Sequence, residues 1–294
     1  MSLLENVVPP IADPSGLSRK AFDELRAFIY DQTGIYFRDN KRYLLESQVG
    51  RRLKQLGLSS FEQYIELVQN GRRQTELPAL VNAITINETF FFRHPQQYEA
   101  IAEVLLPQFT EENGHRPIRI WSAACSTGDE PYTIAMLIRE RVQPRFPNAH
   151  FEILGTDINT EVLQTAREGV YGAYAVRNIP PAYLQKYFTK EGDQHVLSPA
   201  LREMVRFRHL NLTDRHTIGQ FRDFDIILCA NVLIYFDDDT KQSVISNLYN
   251  SLRPGGYLFV GTSETLHGVT RAFQPARLNN SIAYKKEDRH DYDR

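Results

Sequence analysis

The stretch from Ile118 to Pro131, which reads IRIWSAACSTGDEP, decides the fold. It begins as an apolar run, continues through small residues from Ser122 to Gly128, and ends in Asp129-Glu130-Pro131, which suits the first turn of a helix. A strand, a tight loop and a helix in this order predict the opening unit of a doubly wound α/β sheet, whose ligands bind beyond the carboxyl ends of the strands. The alternative is a strand-to-helix turn without a ligand.

The loop in this stretch lacks the features of a phosphate site. It has one glycine and neither a GxGxxG nor a GxxxxGKS/T pattern, and two acids at the helix start would repel phosphate. A nucleoside ligand without phosphates fits better, and S-adenosylmethionine is the foremost candidate.

The composition is that of an ordinary globular protein. The chain has 294 residues, of which 42% are hydrophobic and 24% charged, and its formal net charge is −2. This length fits one large domain or two smaller ones. The near-neutral charge argues mildly against nucleic acid as the main partner. Cys125 and Cys229 have no CxxC spacing, so we expect no disulfide framework and no zinc or other metal.

Targeting and membrane-spanning segments are not expected either. The first ten residues, MSLLENVVPP, lack the basic flank and apolar core of a signal peptide. The longest nearly apolar run, Phe224 to Phe236, is too short to span a bilayer. We therefore expect a cytoplasmic protein that does not insert into a membrane.

The first part of the chain predicts a small all-α domain. Residues 1–16 are rich in proline and predict a disordered lead-in, and residues 17–85 carry the helical pattern. Helices are expected at residues 17–33, about 40–56, 60–71 and 76–86.

The second of these helices carries a basic stripe. Apolar residues fall on one side of it, and polar and basic residues fall on the other: Lys41, Gln48, Arg51, Arg52 and Gln55. Such a stripe is usually a solvated helix face. The alternative is a docking face for an acidic helix, because complementary charge steers encounter and sets register.

Residues 86–97 contain three consecutive phenylalanines followed by Arg93, which fit no amphipathic pattern. Pro95 restricts the conformation of the residues before it. Two interpretations remain open. The segment is an interdomain linker held down by its aromatic side chains, or a loop that folds over the ligand and presents Arg93.

Residues 98–285 predict the second domain, in which strands and helices alternate. Strands are expected at residues 119–123, 151–156, 205–208, 225–229, 257–260 and 282–285, helices at 96–109, 130–142, 160–168 and 239–252, with Thr160 as a cap and a turn at 253–256. This alternation predicts an α/β fold with a mostly parallel sheet and helices on both faces. Residues 171–204 predict a small antiparallel β insertion with a hairpin, and residues 286–294 a charged tail.

Polar residues follow the apolar strands: Glu130, Asp157, Asn211 and Asn231. In a doubly wound sheet these positions meet in one crevice. Each residue alone is more often a cap or turn residue, but the four together favour a nucleoside site, with Asp157 placed to bind the ribose hydroxyls. Tyr235 could bring an aromatic face near a cationic sulfonium.

These residues lie in motifs that closely resemble the CheR family of chemotaxis receptor glutamate methyltransferases. The motifs are NETFFFR from Asn87, WSAACSTGDEPY from Trp121, GTDINTEVL from Gly155, NVLIYF from Asn231 and LRPGGYLFVGTSE from Leu252. The resemblance covers nearly all of residues 17–285. It implies a Rossmann-like class I methyltransferase that uses S-adenosylmethionine, yields S-adenosylhomocysteine, and esterifies glutamates on cytoplasmic helices of chemoreceptors.

The same resemblance implies roles for individual residues. The cofactor would be surrounded by Asn87, Thr89, Arg93, Glu130, Asp157, Asn211, Leu212, Asn231 and Val232. Arg93 and Tyr235 would flank the reacting methyl group. The basic helix would dock on receptor helices through Lys41, Arg51 and Arg52. A monomer is expected, and a regulatory partner is left open.

The sequence departs from the family pattern in the insertion. Family members that tether to a receptor's C-terminal pentapeptide carry a longer, glycine-rich hairpin, whereas Lys190 to Gln194 is short here. We therefore expect this protein not to use the tether.

Two other functions compete with this interpretation. Asn231 to Tyr235 loosely resembles the Asn-Pro-Pro-Tyr loop of nucleic-acid amino-methyltransferases, but the prolines are absent and the tyrosine comes one residue later. The second is a non-enzymatic adaptor that binds the cofactor for signalling. The presence of Arg93 and Tyr235 argues for an enzyme.

Overall fold

The computed structural model of the chain describes residues 16–71, 73–113 and 116–287. Contacts divide the chain into two compact units, residues 1–85 and residues 86–294. Most of the expected lead-in and the expected tail beyond residue 287 lie outside the described residues. Among the described residues, no helix combines the length and the apolar character needed to cross a membrane.

The first unit is all-α. Its described helices are α1 Arg19–Thr33, α2 Arg42–Leu56, α3 Phe61–Glu66 and α4 Arg73–Ile84, with a 3₁₀ turn at Asp39–Lys41 before α2 and a π-helical turn at Leu67–Gly71 after α3. Ser18 caps α1 by accepting the N–H of Ala21 at 3.1 Å, and Gly34 ends it with a φ of 74°. The core includes the fully buried side chains of Phe22 and Tyr64.

The predicted solvent face of α2 is partly wrong. Gln48 is only 7% exposed, and its Nε2 donates to the carbonyl oxygen of Ile84 at 3.4 Å. Arg52 donates from Nε and Nη2 to the two carboxylate oxygens of Glu76 at 2.7 and 2.8 Å. Glu76 is 3% exposed and also accepts the Tyr64 hydroxyl proton at 2.9 Å. Arg52 therefore has a structural role inside this unit, because it neutralises a buried carboxylate.

The second unit is built on a mixed sheet of seven strands. Its strands, with those of a small second sheet, are β1 Ile118–Ala123, β2 Phe151–Asp157, β3 Val170–Gly172, β4 Phe188–Glu191, β5 Gln194–Leu197, β6 Val205–His209, β7 Phe224–Cys229, β8 Leu252–Val260, β9 Phe273–Leu278 and β10 Ser281–Lys286. The order in the large sheet is β6-β2-β1-β7-β8-β10-β9. Neighbouring strands from β6 through β2, β1 and β7 to β8 pair in parallel. Strand β10 runs antiparallel to β8 and β9. The carboxyl ends of the parallel strands therefore meet at one edge.

Helices flank this sheet, as the α/β prediction requires. They are α5 Pro95–Ala100, α6 Leu106–Asn113, α7 Asp129–Leu137, α8 Thr160–Glu168, α9 Ala173–Val176, α10 Pro181–Tyr187, α11 Pro199–Arg202, α12 Arg215–Ile218 and α13 Asp238–Ser251. A π-helical turn at Ile101–Leu105 joins α5 to α6, and another at Ile138–Val142 extends α7. The fold class predicted from the sequence is confirmed.

The small antiparallel insertion is also present, with one more strand than predicted. Its sheet has the order β3-β5-β4, so the predicted hairpin of β4 and β5 is joined by β3 on the other side of β5. Strand β3 has only three residues. So short a run gives no periodicity to detect in the sequence.

Three local predictions in the second unit are wrong. Asn159, not Thr160, caps α8, because its side chain accepts the N–H groups of residues 161 and 162. Residues 253–256 belong to β8 instead of forming a turn before it, and Lys286 belongs to β10 instead of the tail. Strand β9 is not among the predicted strands, and it contains Pro275. Proline is tolerated there because β9 is the edge strand.

Replacing Arg52 by alanine is expected to destabilise the first unit. The change would leave the buried Glu76 carboxylate with only the Tyr64 hydroxyl of the partners named above. Because the Arg52 side chain is partly exposed, we expect a cost of about 2–3 kcal/mol. Arg51→Ala is the matched control, because Arg51 is exposed on the same helix, and its effect should stay below about 0.5 kcal/mol. Urea unfolding of the full chain measures both. Equal free energies for the two variants would contradict the structural role of Arg52.

Candidate active site

The loop after β1 has an unusual backbone that β2 holds in place. Ala124, Ser126 and Gly128 have positive φ angles of 64°, 50° and 87°. For residues other than glycine this conformation costs of order 1 kcal/mol or more each and needs support from neighbours. The N–H of Cys125 donates to the carbonyl oxygen of Thr156 at 2.9 Å, which ties the loop to the end of β2. The loop that the sequence singled out is therefore shaped by the adjacent strand.

Asp157, the last residue of β2, completes this attachment. Its Oδ2 accepts the N–H of Ser126 at 2.8 Å, and its Oδ1 accepts the N–H of Asn159 at 2.9 Å. Its own carbonyl oxygen accepts the N–H of Leu210, just after β6, at 2.9 Å. Burial raises the pKa of Asp157, and the backbone N–H groups oppose that rise. A carboxylate offers about four acceptor sites, and backbone bonds from Ser126, Ile158 and Asn159 leave Asp157 capacity to accept from a ribose hydroxyl.

Glu130 lies in the first turn of α7, next to this loop. The Ser122 hydroxyl donates to its Oε1 at 2.6 Å. Burial raises the pKa of Glu130 to about 7, while the Ser122 bond and the charge of Arg93 act in the opposite direction. The negative charge of Glu264 raises it further. A nearby cation would stabilise the ionised form of this buried carboxylate.

Asp129, the neighbour of Glu130, is fully buried. Burial raises its pKa to about 6, against the effect of the Thr127 hydroxyl, which donates to Oδ2 at 2.5 Å. Its Oδ1 accepts no hydrogen bond from the described part of the chain. Acids at this helix start disfavour phosphate and suit a cationic ligand, as expected from the sequence.

The segment from Asn87 to His94 is anchored by the middle one of its three phenylalanines. Phe91 is fully buried, and its ring packs edge-on against Tyr171 and Phe188 at centroid distances of 4.9 and 5.4 Å. Its N–H donates to the carbonyl oxygen of Ala175 at 3.1 Å. The aromatic ring therefore fixes the segment to the small antiparallel sheet.

The same segment also reaches the loop after β1. The Ser126 hydroxyl donates to the carbonyl oxygen of Asn87 at 3.0 Å. Arg93 donates from Nη1 to the carbonyl oxygen of Glu88 at 2.7 Å and lies 5.6 Å from the centre of the Phe90 ring. Arg93 is thus held by its own segment, beside the strand-end carboxylates.

Asn231 follows β7 in a conformation that two partners support. Its φ is 62°, and its N–H donates to Oε2 of Glu264 at 2.7 Å. The same carboxylate oxygen accepts the N–H of Gly261, also at 2.7 Å. Oδ1 of Asn231 lies 2.8 Å from Nε2 of His94. Asn231 therefore joins the ends of β7 and β8 to the segment that carries Arg93.

Tyr235 ends the 3₁₀ turn Leu233–Tyr235 and is half-buried. Burial raises the pKa of its hydroxyl, and the charge of Arg93 opposes that rise. The phenol is therefore neutral near pH 7. The charge of Arg93 also lowers the pKa of Glu130, so one guanidinium acts on the pKa of both Tyr235 and Glu130.

Asn211 and Leu212 follow β6. Oδ1 of Asn211 accepts the N–H and hydroxyl of Thr213 at 3.0 and 2.8 Å. Leu212 is buried, and its carbonyl oxygen accepts from Nδ2 of Asn247 at 3.2 Å. These bonds fix the turn that starts beside Asp157.

The contacts bring many of the predicted cofactor residues into one network. Asp157 is linked to Asn87 through Ser126, and Leu210, which precedes Asn211, is bonded to Asp157. Asn231 is linked to the Arg93 segment through His94. Thr89, in the Arg93 segment, is half-buried, and so is Val232, in the turn after β7.

Sequence reasoning missed three members of this network: Ser126, His94 and Glu264. Glu264 could have been found, because it is a polar residue shortly after the end of β8, like those chosen after the other strands. Ser126 joins the network through its backbone N–H. His94 joins it through a side-chain bond to a residue far away in the chain. Neither has a local signal in the sequence.

The fold is that of an α/β protein, and the buried carboxylates at the ends of its parallel strands suit a nucleoside ligand. Residues 87–282 match the family model described as "CheR methyltransferase, SAM binding domain", and residues 20–85 match "CheR methyltransferase, all-alpha domain". The chain belongs to the CheR methyltransferase family. The resemblance stated from the sequence motifs is confirmed.

Similar proteins cover nearly the whole chain. Chemotaxis protein methyltransferase 2 of Vibrio cholerae is 36% identical over 266 residues, which are 90% of this chain and 92% of that protein. Chemotaxis protein methyltransferase 1 of Pseudomonas aeruginosa is 35% identical over 269 residues, 90% of this chain and 97% of that protein. The chemotaxis protein methyltransferase of Escherichia coli is 34% identical over 262 residues, 87% and 88% of the two chains.

Glu130 gives a pH-dependent prediction. If it pairs with the amino group of S-adenosylhomocysteine, it must be ionised, so its pKa of about 7 makes affinity fall as the pH drops below that value. We expect binding to be about tenfold weaker at pH 6 than at pH 8, measured by calorimetry. Glu130→Gln should bind weakly with a flat pH profile. A variant that retains the wild-type slope would contradict this role of Glu130.

Proposed function

We propose that this protein transfers a methyl group from S-adenosylmethionine to glutamate side chains on the cytoplasmic helices of chemoreceptors, forming methyl esters for sensory adaptation. The observation that carries the proposal is the family membership across residues 20–282. Relatives that span about nine-tenths of the chain are named chemotaxis protein methyltransferases. On this proposal the protein acts in the cytoplasm, where those helices lie.

The residues at the strand ends fit S-adenosylmethionine chemically. Asp157 keeps acceptor capacity for a ribose hydroxyl, Glu130 suits an ammonium group, and Asn231 and Asn211 offer amides beside them. When bound, the cofactor supplies an electrophilic methyl group on a sulfonium. The chain's own residues must hold and align the reactants around that group.

The substrate carboxylate needs no general base. A glutamate side chain, with an unperturbed pKa of about 4.3, is already ionised at neutral pH and can attack the methyl carbon directly. The enzyme therefore contributes alignment and charge placement. Arg93 is a cation, so its role is to orient the incoming carboxylate. Tyr235, a neutral phenol within the influence of Arg93, can present its ring or hydroxyl to the reacting centre.

The helical unit is proposed to dock the receptor. Lys41 lies just before α2 and Arg51 lies on α2. Both are exposed, and their charges suit an acidic helix surface. Arg52 remains a docking prediction, but its ion pair with Glu76 means that replacing it also changes stability. Docking assays should therefore vary Lys41 and Arg51 first. It stays a prediction that the protein does not use the pentapeptide tether and that it is a monomer. A regulatory partner is left open.

A single assay tests the proposed reaction. The full chain is incubated with methyl-labelled S-adenosylmethionine and receptor-containing membranes, and the product is then treated with base. A methyl ester releases labelled methanol, whereas an N-methyl group is stable. Base-stable label would point to amino-methylation, and the absence of label would favour a non-enzymatic adaptor.

Arg93→Ala is expected to lower kcat in this assay by about a hundredfold or more, because the carboxylate loses its orienting charge. Calorimetry with S-adenosylhomocysteine should show a much smaller change in affinity. Arg145→Ala serves as the control, since Arg145 is an exposed arginine outside the site, paired with Glu103. Unchanged methyl transfer by Arg93→Ala would rule out the proposed role.

Asp157→Asn is expected to weaken S-adenosylhomocysteine binding by about tenfold or more, because an amide replaces a carboxylate that accepts several hydrogen bonds. Asp214→Asn is the matched control, since Asp214 likewise accepts two backbone N–H groups, at the start of α12. Thermal unfolding of both variants separates binding from stability. Equal affinities for wild type and Asp157→Asn would refute the ribose assignment.

A further inference from the structure

A side-chain bond joins the segment that carries Arg93 to the turn that carries Tyr235. His94 directly follows Arg93, and Asn231 starts the turn that ends at Tyr235. Nε2 of His94 and Oδ1 of Asn231 are 2.8 Å apart. The two residues are 137 positions apart in the chain. The bond therefore fixes the spacing of two elements that local structure does not connect.

The direction of this bond follows from the chemistry of the two groups. An amide oxygen can only accept, so Nε2 of His94 carries the proton and donates. His94 is 6% exposed, and this burial lowers its pKa, so the ring is neutral at pH 7. The neutral ring with its proton on Nε2 is sufficient for the bond. Asn231 then directs its Nδ2 group away from His94.

The backbone of Asn231 is constrained at the same time. Its positive φ is stabilised by the bond from its N–H to Glu264. A Cβ added at Gly261 would lie 2.9 Å from Nδ2 of Asn231 and 2.7 Å from Oε2 of Glu264, so the glycine allows a close approach. With the backbone of Asn231 held by Glu264, the bond to His94 orients its side-chain amide.

We infer that His94 is a positioning residue for methyl transfer, which acts by orienting Asn231 and by holding the Arg93 segment against the turn that carries Tyr235. The kinetic consequences of this inference rest on the proposed function. It assigns to His94 no contact with the cofactor or the substrate. The charged groups that act on the His94 ring are Arg93, whose charge lowers its pKa, and Glu264, whose charge raises it.

The chain offers a conservative variant and a structural control. Gln at position 94 can present an amide N–H near the position of Nε2, whereas Leu fills similar space without a donor. Gln97 lies on the next turn of α5 and is equally buried, and its Nε2 donates to the carbonyl oxygen of Val260 at 2.6 Å. Gln97→Leu therefore removes a nearby buried hydrogen bond that does not involve Asn231.

The main test measures S-adenosylhomocysteine affinity by calorimetry on the full chain, which needs no receptor. His94→Leu should weaken binding about fivefold or more, His94→Gln should stay within about twofold of wild type, and Gln97→Leu should lower the Tm with affinity near wild type. A double-mutant cycle with Asn231→Ala should show that His94→Leu has no further effect once the amide is gone. Wild-type affinity in His94→Leu, no rescue by glutamine, or an additive cycle would each overturn the inference.

The kinetic arm uses the methyl-ester assay at saturating cofactor. His94→Leu should lower kcat about tenfold through the loss of alignment, and His94→Gln should restore most of it. An unchanged kcat in His94→Leu would overturn the link between Arg93 and Tyr235. If wild type forms no methyl ester, the proposed function fails. The calorimetric cycle still decides whether His94 positions Asn231.

Discussion

The carboxylate of Asp157 is the constraint on which the site depends. Its oxygens accept the N–H of Ser126 in the loop after β1 and the N–H of Asn159 at the start of α8, and Ile158 contributes a further backbone bond. The backbone carbonyl oxygen of Asp157 accepts the N–H of Leu210, the residue after β6. Ser126 has a positive φ, and the bond to Asp157 offsets the cost of that conformation. Without this carboxylate, the loop after β1 would lose its side-chain attachment to the end of β2.

The distribution of acids explains what kind of ligand the site accepts. Asp129, Glu130 and Glu264 all lie near the strand ends, and burial raises the pKa of the first two. Such a site penalises phosphate and stabilises a cation. Arg93 supplies the opposite charge from a separate segment, which is anchored by Phe91 on the small antiparallel sheet. Positive and negative groups are thus brought to one site by different parts of the chain, as transfer between a cationic donor and an anionic acceptor requires.

Much of this arrangement could be predicted because it has local signals. Ser18 and Gly34 bound α1 by ordinary capping chemistry, and the residues after the parallel strands were identified from the strand pattern alone. Gln48 was assigned to the wrong face because its polarity suggests exposure, although an amide can be buried when it bonds a helix-end carbonyl. The edge strand β9, which contains Pro275, was not predicted, and β3 is too short to show a period. The bond between His94 and Asn231 is a tertiary contact that no local pattern encodes.

A crystal structure of the full chain with S-adenosylhomocysteine would test the central claim most directly, namely that the carboxyl ends of β1, β2, β6 and β7 form the cofactor site. The account predicts the ribose hydroxyls at hydrogen-bonding distance from the Asp157 carboxylate and the amino group beside Glu130. A ligand bound elsewhere on the chain, or bound at these strand ends without contacting Asp157, would contradict it.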